Sequence, residues 1–179
     1  MQLLALNGSL RARSSNGAVL RSALALTDAT SAVADLGALP HFNPDLDTED
    51  AAPPAPVAAL RRAVAEADAV LVVSPEYAHG VPGVLKNALD WLVGSAEFLD
   101  KPTAVLTASP SPAGGEYAHA QLRETLRMMS ADVIADACRN LTAIAPKTDP
   151  ATGTVTDPAT LRDLRTALAA LLTAAATRT

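Results

Sequence analysis

Short continuous runs of apolar residues alternate along the chain with segments in which apolar residues recur at helical spacing. A continuous apolar run bounded by turn residues is typical of a strand that is buried on both faces. Apolar residues one turn apart, such as Leu85, Leu89 and Leu92, are typical of a helix that packs one face on a sheet. The pattern predicts strands at residues 2–6, 31–36, 68–74, 102–109 and 131–137. It predicts helices at residues 19–24, 57–67, 83–93 and 117–129, and a last helix that starts at the Asp157-Pro158 cap.

This alternation predicts one α/β domain over residues 1–179, in which a parallel sheet lies between two layers of helices. Residues 37–56, with five prolines and several acids, are expected to form a long surface loop. Ligands of such sheets bind beyond the carboxyl ends of the strands. The candidate site is therefore built from a first loop (residues 7–16), a second loop (residues 74–82) and a third loop (residues 109–115).

Charge and cysteine content narrow the range of partners. The net charge is −5 and no basic block occurs, which argues against nucleic acid or an anionic membrane surface as the main partner. The single cysteine, Cys138, excludes a disulfide within the chain. No apolar stretch is long enough to span a bilayer, and the first apolar run is too short for a signal peptide, so we expect a cytoplasmic protein. No group of His, Cys and Asp has metal-ligand spacing, so no metal site is expected.

The first loop, in the segment "NGSLRARSSNG", combines hydroxyls, an amide and two guanidinium groups where a strand leads into a helix. A helix N-terminus presents unpaired N–H groups, and arginine matches phosphate oxygens, so the loop predicts a phosphate-ester site. The pattern is neither G-x-G-x-x-G nor a P-loop, so neither a dinucleotide site nor an ATPase is indicated. The alternative is that the serines are helix caps and that Arg11 and Arg13 are solvated surface charges.

The second loop belongs to the longer segment "SPEYAHGVPGVLKNALDW". With both segments in view, the chain resembles the NAD(P)H-dependent FMN reductase family, which includes quinone and chromate reductases. The family's motif G-S-x-R-x-x-S-x-N is matched by Gly8, Ser9, Arg11, Ser14 and Asn16. Its motif S-P-E-Y-N-x-S-x-P-G-x-L-K-N-x-I-D-W is matched by Ser74, Pro75, Glu76, Tyr77, Pro82, Gly83, Leu85, Lys86, Asn87, Asp90 and Trp91. Two departures from that motif matter: Ala78 replaces the usual asparagine and Gly80 the usual serine.

The resemblance runs from the first strand to about residue 129, and it is loose in the third loop, "SPSPAGG". It implies a flavodoxin-like three-layer sandwich with a five-stranded parallel sheet in the order 2-1-3-4-5. It also implies bound FMN, hydride transfer from NADH or NADPH to the flavin, and electron transfer to a quinone or similar small acceptor. The cofactor carries this chemistry, so no residue is expected to act as catalytic acid or base.

By the same resemblance, each loop contacts a different part of the cofactor. The phosphate would be held by Ser9, Arg11, Ser14 and Asn16, with Ser15 helping through its backbone. The ring and ribityl chain would meet Pro75, Glu76, Tyr77, Ala78, His79 and Gly80. The pyrimidine end would meet the third loop, from Ser109 to Gly115.

Several of these residues could have structural or solvent-exposed roles instead of functional ones. Glu76 is expected to fix the loop as a hydrogen-bond acceptor, Tyr77 to pack or stack, and His79 to be solvated unless it touches the nicotinamide or the acceptor. His41 and His119 are expected at the surface, and Cys138 in inert packing. The helix at residues 83–93 would line the interface of a homodimer or homotetramer, or would be a core helix with Trp91 against the sheet.

Two other functions remain as alternatives. The first is a non-enzymatic electron carrier of the flavodoxin type. Flavodoxins have a first loop that lacks arginine, and they place aromatic residues beside the flavin ring. Arg11 and the 3% aromatic content of this chain therefore disfavour an electron carrier. The second is an interaction module that has lost its flavin.

Overall fold

The carboxyl edge of a twisted parallel sheet is the feature that positions the candidate site. The structure, a computed structural model, describes residues 1–48 and 52–178; residues 49–51 of the expected long loop, and residue 179, lie outside the described residues. The sheet has the order β2-β1-β3-β4-β5, which confirms the expected order. Its first four strands are β1 (Gln2–Asn7), β2 (Thr30–Val33), β3 (Ala69–Ser74) and β4 (Pro102–Ala108), all parallel to their neighbours.

The fifth position of the sheet differs from the predicted single strand at residues 131–137. It is shared by β5 (Asp132–Val133), beside the start of β4, and β6 (Arg139–Leu141), beside its end. A 3₁₀ turn, Ala135–Ala137, separates them, and the N–H of Val105 donates to Cys138 Sγ at 3.4 Å in place of a ladder bond. Alanine and aspartate, which fill the turn, are poor strand formers, so the apolar run does not hold one continuous strand.

Helices cover both faces of the sheet, as predicted. Helices α1 (Ser15–Leu24) and α5 (Pro158–Ala176) pack on one face, and α2 (Ala55–Glu66), α3 (Gly83–Val93) and α4 (Glu116–Met128) pack on the other. Alternate residues of β3 serve the two cores: Leu71 lies with α1 and α5, and Val72 with α2, α3 and α4. This two-sided burial explains why the strand is a continuous apolar run.

Two connections carry structure that the sequence did not predict. The segment after β6 contains an antiparallel hairpin, β7 (Thr148–Asp149) and β8 (Thr154–Val155). It is fastened to α1, because Arg21 Nε and Nη2 donate to Gly153 O at 3.0 and 2.7 Å and Val155 N–H donates to Ser22 Oγ at 2.8 Å.

The long loop after β2 contains two 3₁₀ turns, Leu36–Ala38 and Pro44–Leu46, and packs on α3. Trp91 is fully buried beneath this loop: its Nε1–H donates to Pro40 O at 2.9 Å, and its ring meets Phe42 edge-on at 5.1 Å. The indole therefore holds the loop to the helix and presents no surface to a partner subunit. None of the described helices is both long and apolar enough to cross a membrane.

Candidate functional site

The three candidate loops lie side by side because they follow neighbouring strands. Strand β3 pairs with both β1 and β4, so the second loop is flanked by the first and the third. The first and second loops touch at Gly8, whose N–H donates to Val73 O at 2.8 Å. A Cβ on Gly8 would lie 2.7 Å from Ser74 Oγ. The motif glycine is therefore required by close approach of two loops.

The first loop presents a row of unpaired N–H groups. Ser9 N–H donates to Asn7 Oδ1 at 3.1 Å, and the buried Ser14 caps α1 by accepting from Gly17 N–H at 2.8 Å. Within the part of the chain that the structure describes, the N–H groups of Ala12, Arg13, Ser15 and Asn16 meet no acceptor. Free N–H groups at the start of a ten-residue helix favour an anion there.

Positive side chains surround this row. Arg11 and Arg13 are exposed and form no ion pair with any described residue. The carboxamide of Asn16 is 5% exposed; its Nδ2 donates to Ala108 O at 3.0 Å, and its Oδ1 has no protein partner among the described residues. A cleft of about 290 Å³ runs from Arg13 and Ser14 to Pro110 of the third loop. These groups suit a phosphate ester whose remaining atoms extend toward the third loop.

The second loop ends in a tight two-residue turn. Tyr77 and Gly80 exchange backbone hydrogen bonds of 3.1 and 2.9 Å, and the central residues Ala78 and His79 have φ angles of 49° and 57°. Two left-handed residues define a type I′ hairpin turn, in which asparagine or glycine is preferred. The alanine at position 78 thus departs from the motif where the backbone is least suited to it. At Gly80 a Cβ would find its nearest atom 3.6 Å away, so a serine there would fit.

Side chains of the second loop are tied to α4. Glu76 Oε2 accepts from Ala118 N–H at 2.9 Å, so this carboxylate fixes the loop and occupies the positive end of the helix. The ring of His79 stacks on Tyr117, with ring centres 4.3 Å apart, and its carbonyl accepts from Gln121 Nε2 at 3.0 Å. Tyr77 is 57% and Tyr117 48% exposed, so the two tyrosines and His79 present aromatic surface beside the loop. The sequence did not single out Tyr117.

Two backbone N–H groups of the third loop are already bonded to residues of β6. Ser109 N–H donates to Leu141 O at 3.2 Å, and Gly115 N–H donates to Asn140 Oδ1 at 2.9 Å. These two N–H groups are therefore not available to a ligand, which would contact other atoms of the third loop.

Sequence reasoning missed two members of the polar cluster below the third loop. Thr107 and Asn140 were not singled out, and His119, expected at the surface, is half-buried with its Nδ1 3.2 Å from Thr107 Oγ1. Burial, together with the charge of Arg123, lowers the pKa of His119 to about 4. Burial raises the pKa of the Cys138 thiol, as expected of an inert packed cysteine. No group of His, Cys, Asp and Glu among the described residues could hold a metal ion.

Solved structures place this arrangement in a class of proteins. The fold matches the flavoenzyme NAD(P)H:(acceptor) oxidoreductase FerB of Paracoccus denitrificans with a TM-score of 0.85 and 29% identity, over 98% of this chain and 97% of that one. An NADH:FMN oxidoreductase, EmoB, matches with a TM-score of 0.66 and 20% identity over 98% of this chain and 89% of that one, and so shows the fold alone. The class is the flavodoxin-like α/β proteins, as expected from the sequence.

Sequence relatives narrow the class to a family. The family model for NADPH-dependent FMN reductase matches residues 1–144. A quinone reductase of Escherichia coli strain K12 is 36% identical over 169 residues, which cover 92% of this chain and 89% of the relative. An NAD(P)H-dependent FMN reductase of Pseudomonas aeruginosa is 38% identical over 130 residues, which cover 70% and 69%. The chain belongs to the NADPH-dependent FMN reductase family, and the expected enzyme class, with FMN as cofactor and NAD(P)H as co-substrate, is confirmed.

Proposed function

We propose that the chain holds FMN with its phosphate in the first loop and uses NADPH or NADH to reduce a quinone or similar small acceptor. The observation that carries this proposal is the row of free N–H groups from Ala12 to Asn16, beside the unpaired Arg11. FMN supplies the exchange of two electrons with the nicotinamide and with the acceptor. The protein supplies binding, orientation and a fixed set of hydrogen-bond donors.

The phosphate site would draw on both backbone and side chains. Ser9 Oγ accepts from Arg11 N–H at 3.4 Å, and Ser14 Oγ accepts from Gly17 N–H, so each hydroxyl keeps its own hydrogen free to donate to a phosphate oxygen. Arg11 adds a charge-assisted bond, and Ser15 contributes its free N–H. Asn16 Oδ1, buried beside this site, would accept from a hydroxyl group of the ribityl chain.

The ring would lie against the second and third loops, from Pro75 to Gly80 and from Ser109 to Gly115. Glu76 accepts from Ala118 N–H in the first turn of α4, so we assign it the role of a structural acceptor. Tyr77, His79 and Tyr117 form an exposed aromatic rim at the second loop, which suits a flat acceptor such as a quinone. Relatives that carry the name quinone reductase support the same acceptor class.

We also propose that two or four copies of the chain associate. The support is a groove of about 570 Å³ between α3 and α4 that reaches Gly80 of the second loop. A second copy seated there would lie next to the ring site. A cytoplasmic location, the single domain, and the absence of nucleic-acid and membrane partners stay predictions from the sequence.

An FMN titration and a steady-state assay test the proposal together. Arg11→Ala should weaken FMN binding by about 1.5–3 kcal/mol, the contribution of a hydrogen bond to a charged group. The matched control is Arg62→Ala, which removes an exposed arginine from α2 and should leave the affinity unchanged. Equal affinity in the Arg11 variant and wild type would refute the phosphate assignment.

Turnover separates the proposed enzyme from its alternatives. Wild-type protein loaded with FMN should oxidise NADPH or NADH continuously while a quinone is present. FMN binding without nicotinamide oxidation would favour an electron carrier. A preparation that stays colourless after incubation with FMN would favour an interaction module.

A further inference from the structure

A hydrogen-bonded cluster joins the carboxyl end of β4 to the loops around the ring site. The cluster consists of Thr107, His119 and Asn140. Thr107 and Asn140 are direct partners across β4 and β6, so their side chains lie on the same side of the sheet. Thr107 Oγ1 donates to Asn140 Oδ1 at 3.1 Å. This juxtaposition exists because β6 resumes pairing after the 3₁₀ turn that interrupts the fifth sheet position.

The third loop is shaped around the Asn140 carboxamide. Asn140 Oδ1 accepts from Gly115 N–H at 2.9 Å, and Nδ2 donates to Ala113 O at 3.0 Å. Between these contacts Gly114 has a φ of 75°, and a Cβ on it would come within 2.2 Å of Asn140 Oδ1. One side chain thus holds three consecutive residues of the loop, and the glycine provides both the conformation and the room.

The protons of the cluster can be assigned from chemistry alone. An amide N–H can only donate, so the carboxamide oxygen of Asn140 must face Gly115. The single hydrogen of the Thr107 hydroxyl then goes to that oxygen, and His119 Nδ1 must donate to Thr107 Oγ1 at 3.2 Å. His119 therefore carries a hydrogen on Nδ1, and because burial lowers its pKa to about 4, the ring is neutral at pH 7 with that single hydrogen. The donors thus run from His119 through Thr107 to Asn140 Oδ1, which also accepts from Gly115 N–H of the third loop.

The same cluster sets the position of the third loop relative to the second. A Cβ on Gly115 would lie 3.3 Å from Thr107 Cβ and 3.3 Å from Glu76 Cβ, so this residue is packed between β4 and the second loop. Glu76 is itself bonded to Ala118, the neighbour of His119 on α4. A change in the cluster would move the third loop toward or away from Glu76.

We propose that Asn140 is a positioning residue for hydride transfer, which sets the separation of the second and third loops and so the seat of the flavin ring. Thr107 and His119 orient its carboxamide. The inference rests on the proposed function. Rates of transfer between oriented groups are steep in geometry, since a displacement of about 1 Å can lower a rate about 10²-fold. The free N–H groups of the first loop are not part of the cluster, so phosphate binding is left in place.

Asn140→Ala in FMN-loaded protein tests the proposal. We expect kcat with NADPH and a quinone to fall about 10- to 100-fold, with KM for NADPH and Kd for FMN each changed less than about fivefold. The visible circular dichroism of the bound flavin should change as well. The control is Asn43→Ala, which removes an exposed asparagine whose Oδ1 accepts from Asp45 N–H at 3.0 Å, far along the chain from these loops. It should leave all four quantities unchanged.

A second pair of variants at His119 tests the donor chain itself. His119→Asn keeps an N–H near the position of Nδ1 and should keep kcat within about threefold of wild type, whereas His119→Leu should lower kcat as Asn140→Ala does. Hydrogen exchange of the Gly115 amide in the FMN-free protein gives a readout independent of activity, and it should accelerate in Asn140→Ala and His119→Leu alone.

Three results would overturn the proposal. One is an unchanged kcat and flavin dichroism in Asn140→Ala despite a lower melting temperature, which would leave the residue a purely structural role. Another is a loss of FMN affinity as large as that in Arg11→Ala, which would place its effect at the phosphate. The third is unchanged exchange at Gly115. Failure of the proposed function is a distinct result, because it would show as a wild-type protein that does not oxidise NAD(P)H.

Discussion

The half-buried imidazole of His119 should make the stability of the protein depend on pH between about 6.5 and 4. Burial of the ring is the main cause of its lowered pKa, and the positive charge of Arg123 adds to it. The unfolded chain has an ordinary histidine with a pKa near 6.5, while the folded protein keeps the ring neutral down to about pH 4. Between these values the unfolded state binds the additional proton. The free energy of unfolding must therefore fall as the pH is lowered.

The two pKa values set the size of the effect. A gap of about 2.5 units at 1.36 kcal/mol per unit gives about 3 kcal/mol, which would be fully lost below pH 4. Since the ring keeps some contact with solvent, we expect about 2–3 kcal/mol. Asp149 and Asp157 do not obscure this window, because hydrogen bonds from Ala151 and Thr160, respectively, are the main causes that lower their pKa values below 3.8. Their contributions are lost only as the pH falls further.

Urea unfolding from pH 7.5 to 4.5 measures the effect, with His119→Asn as the reference. The asparagine keeps a donor for Thr107 and cannot titrate, and the two other histidines are present in both proteins and cancel. Wild type should lose about 1.5–2 kcal/mol more than the variant over this range, which ends above the pH at which the loss is complete, and most of the difference should appear below pH 6. Parallel pH profiles for the two proteins would refute a neutral, buried His119.

The remaining predictions concern the first and second loops. Ala78→Gly should raise the free energy of unfolding by about 0.5–1 kcal/mol. The substitution removes the strain of an alanine in the left-handed conformation, about 1–2 kcal/mol, and part of this gain is offset because glycine increases the conformational entropy of the unfolded chain. Thermal unfolding measures this gain. The control is Ala120→Gly, on the exposed face of α4, which should lower the free energy of unfolding by about 0.5–1 kcal/mol. A lower free energy of unfolding in both variants would contradict the turn geometry. Gly8→Ala should cost about 1–3 kcal/mol and weaken FMN binding, because the new Cβ would meet Ser74 Oγ at 2.7 Å. Gly83→Ala is its control, since a Cβ there meets nothing within 4 Å, and equal stability of the two variants would show that the loops can separate freely.

The hydrophobic pattern was sufficient to predict those strands and helices in which the conformational preference of the residues agrees with their burial. Strand β3 is a continuous valine-rich run, and α3 has the predicted bounds, Gly83–Val93. The fifth sheet position shows where pattern fails, because its alanines and aspartates have little strand preference and Cys138 Sγ takes the N–H that a strand would have paired. The hairpin β7–β8 was missed for another reason. Its two strands are two residues each and are held mainly by long-range contacts to α1, such as those of Arg21, which no local pattern reports.

The candidate site divides in the same way. The first loop could be found from sequence because its donors are consecutive residues at one strand end, so chemistry and chain order coincide. Asn140 could not, since it contributes through β6 and comes beside Thr107 only after the interrupted strand resumes its pairing. The burial of His119, in contrast, could have been predicted from its spacing along α4. It lies three and seven residues before Leu122 and Leu126, both fully buried, so helical spacing places it at the edge of the apolar stripe of α4. A titratable residue at that edge, in the first turn of a helix that follows a strand end, faces the carboxyl edge of the sheet where ligands bind. Its burial, and hence its neutral state at physiological pH, follows from the position it holds on the helix.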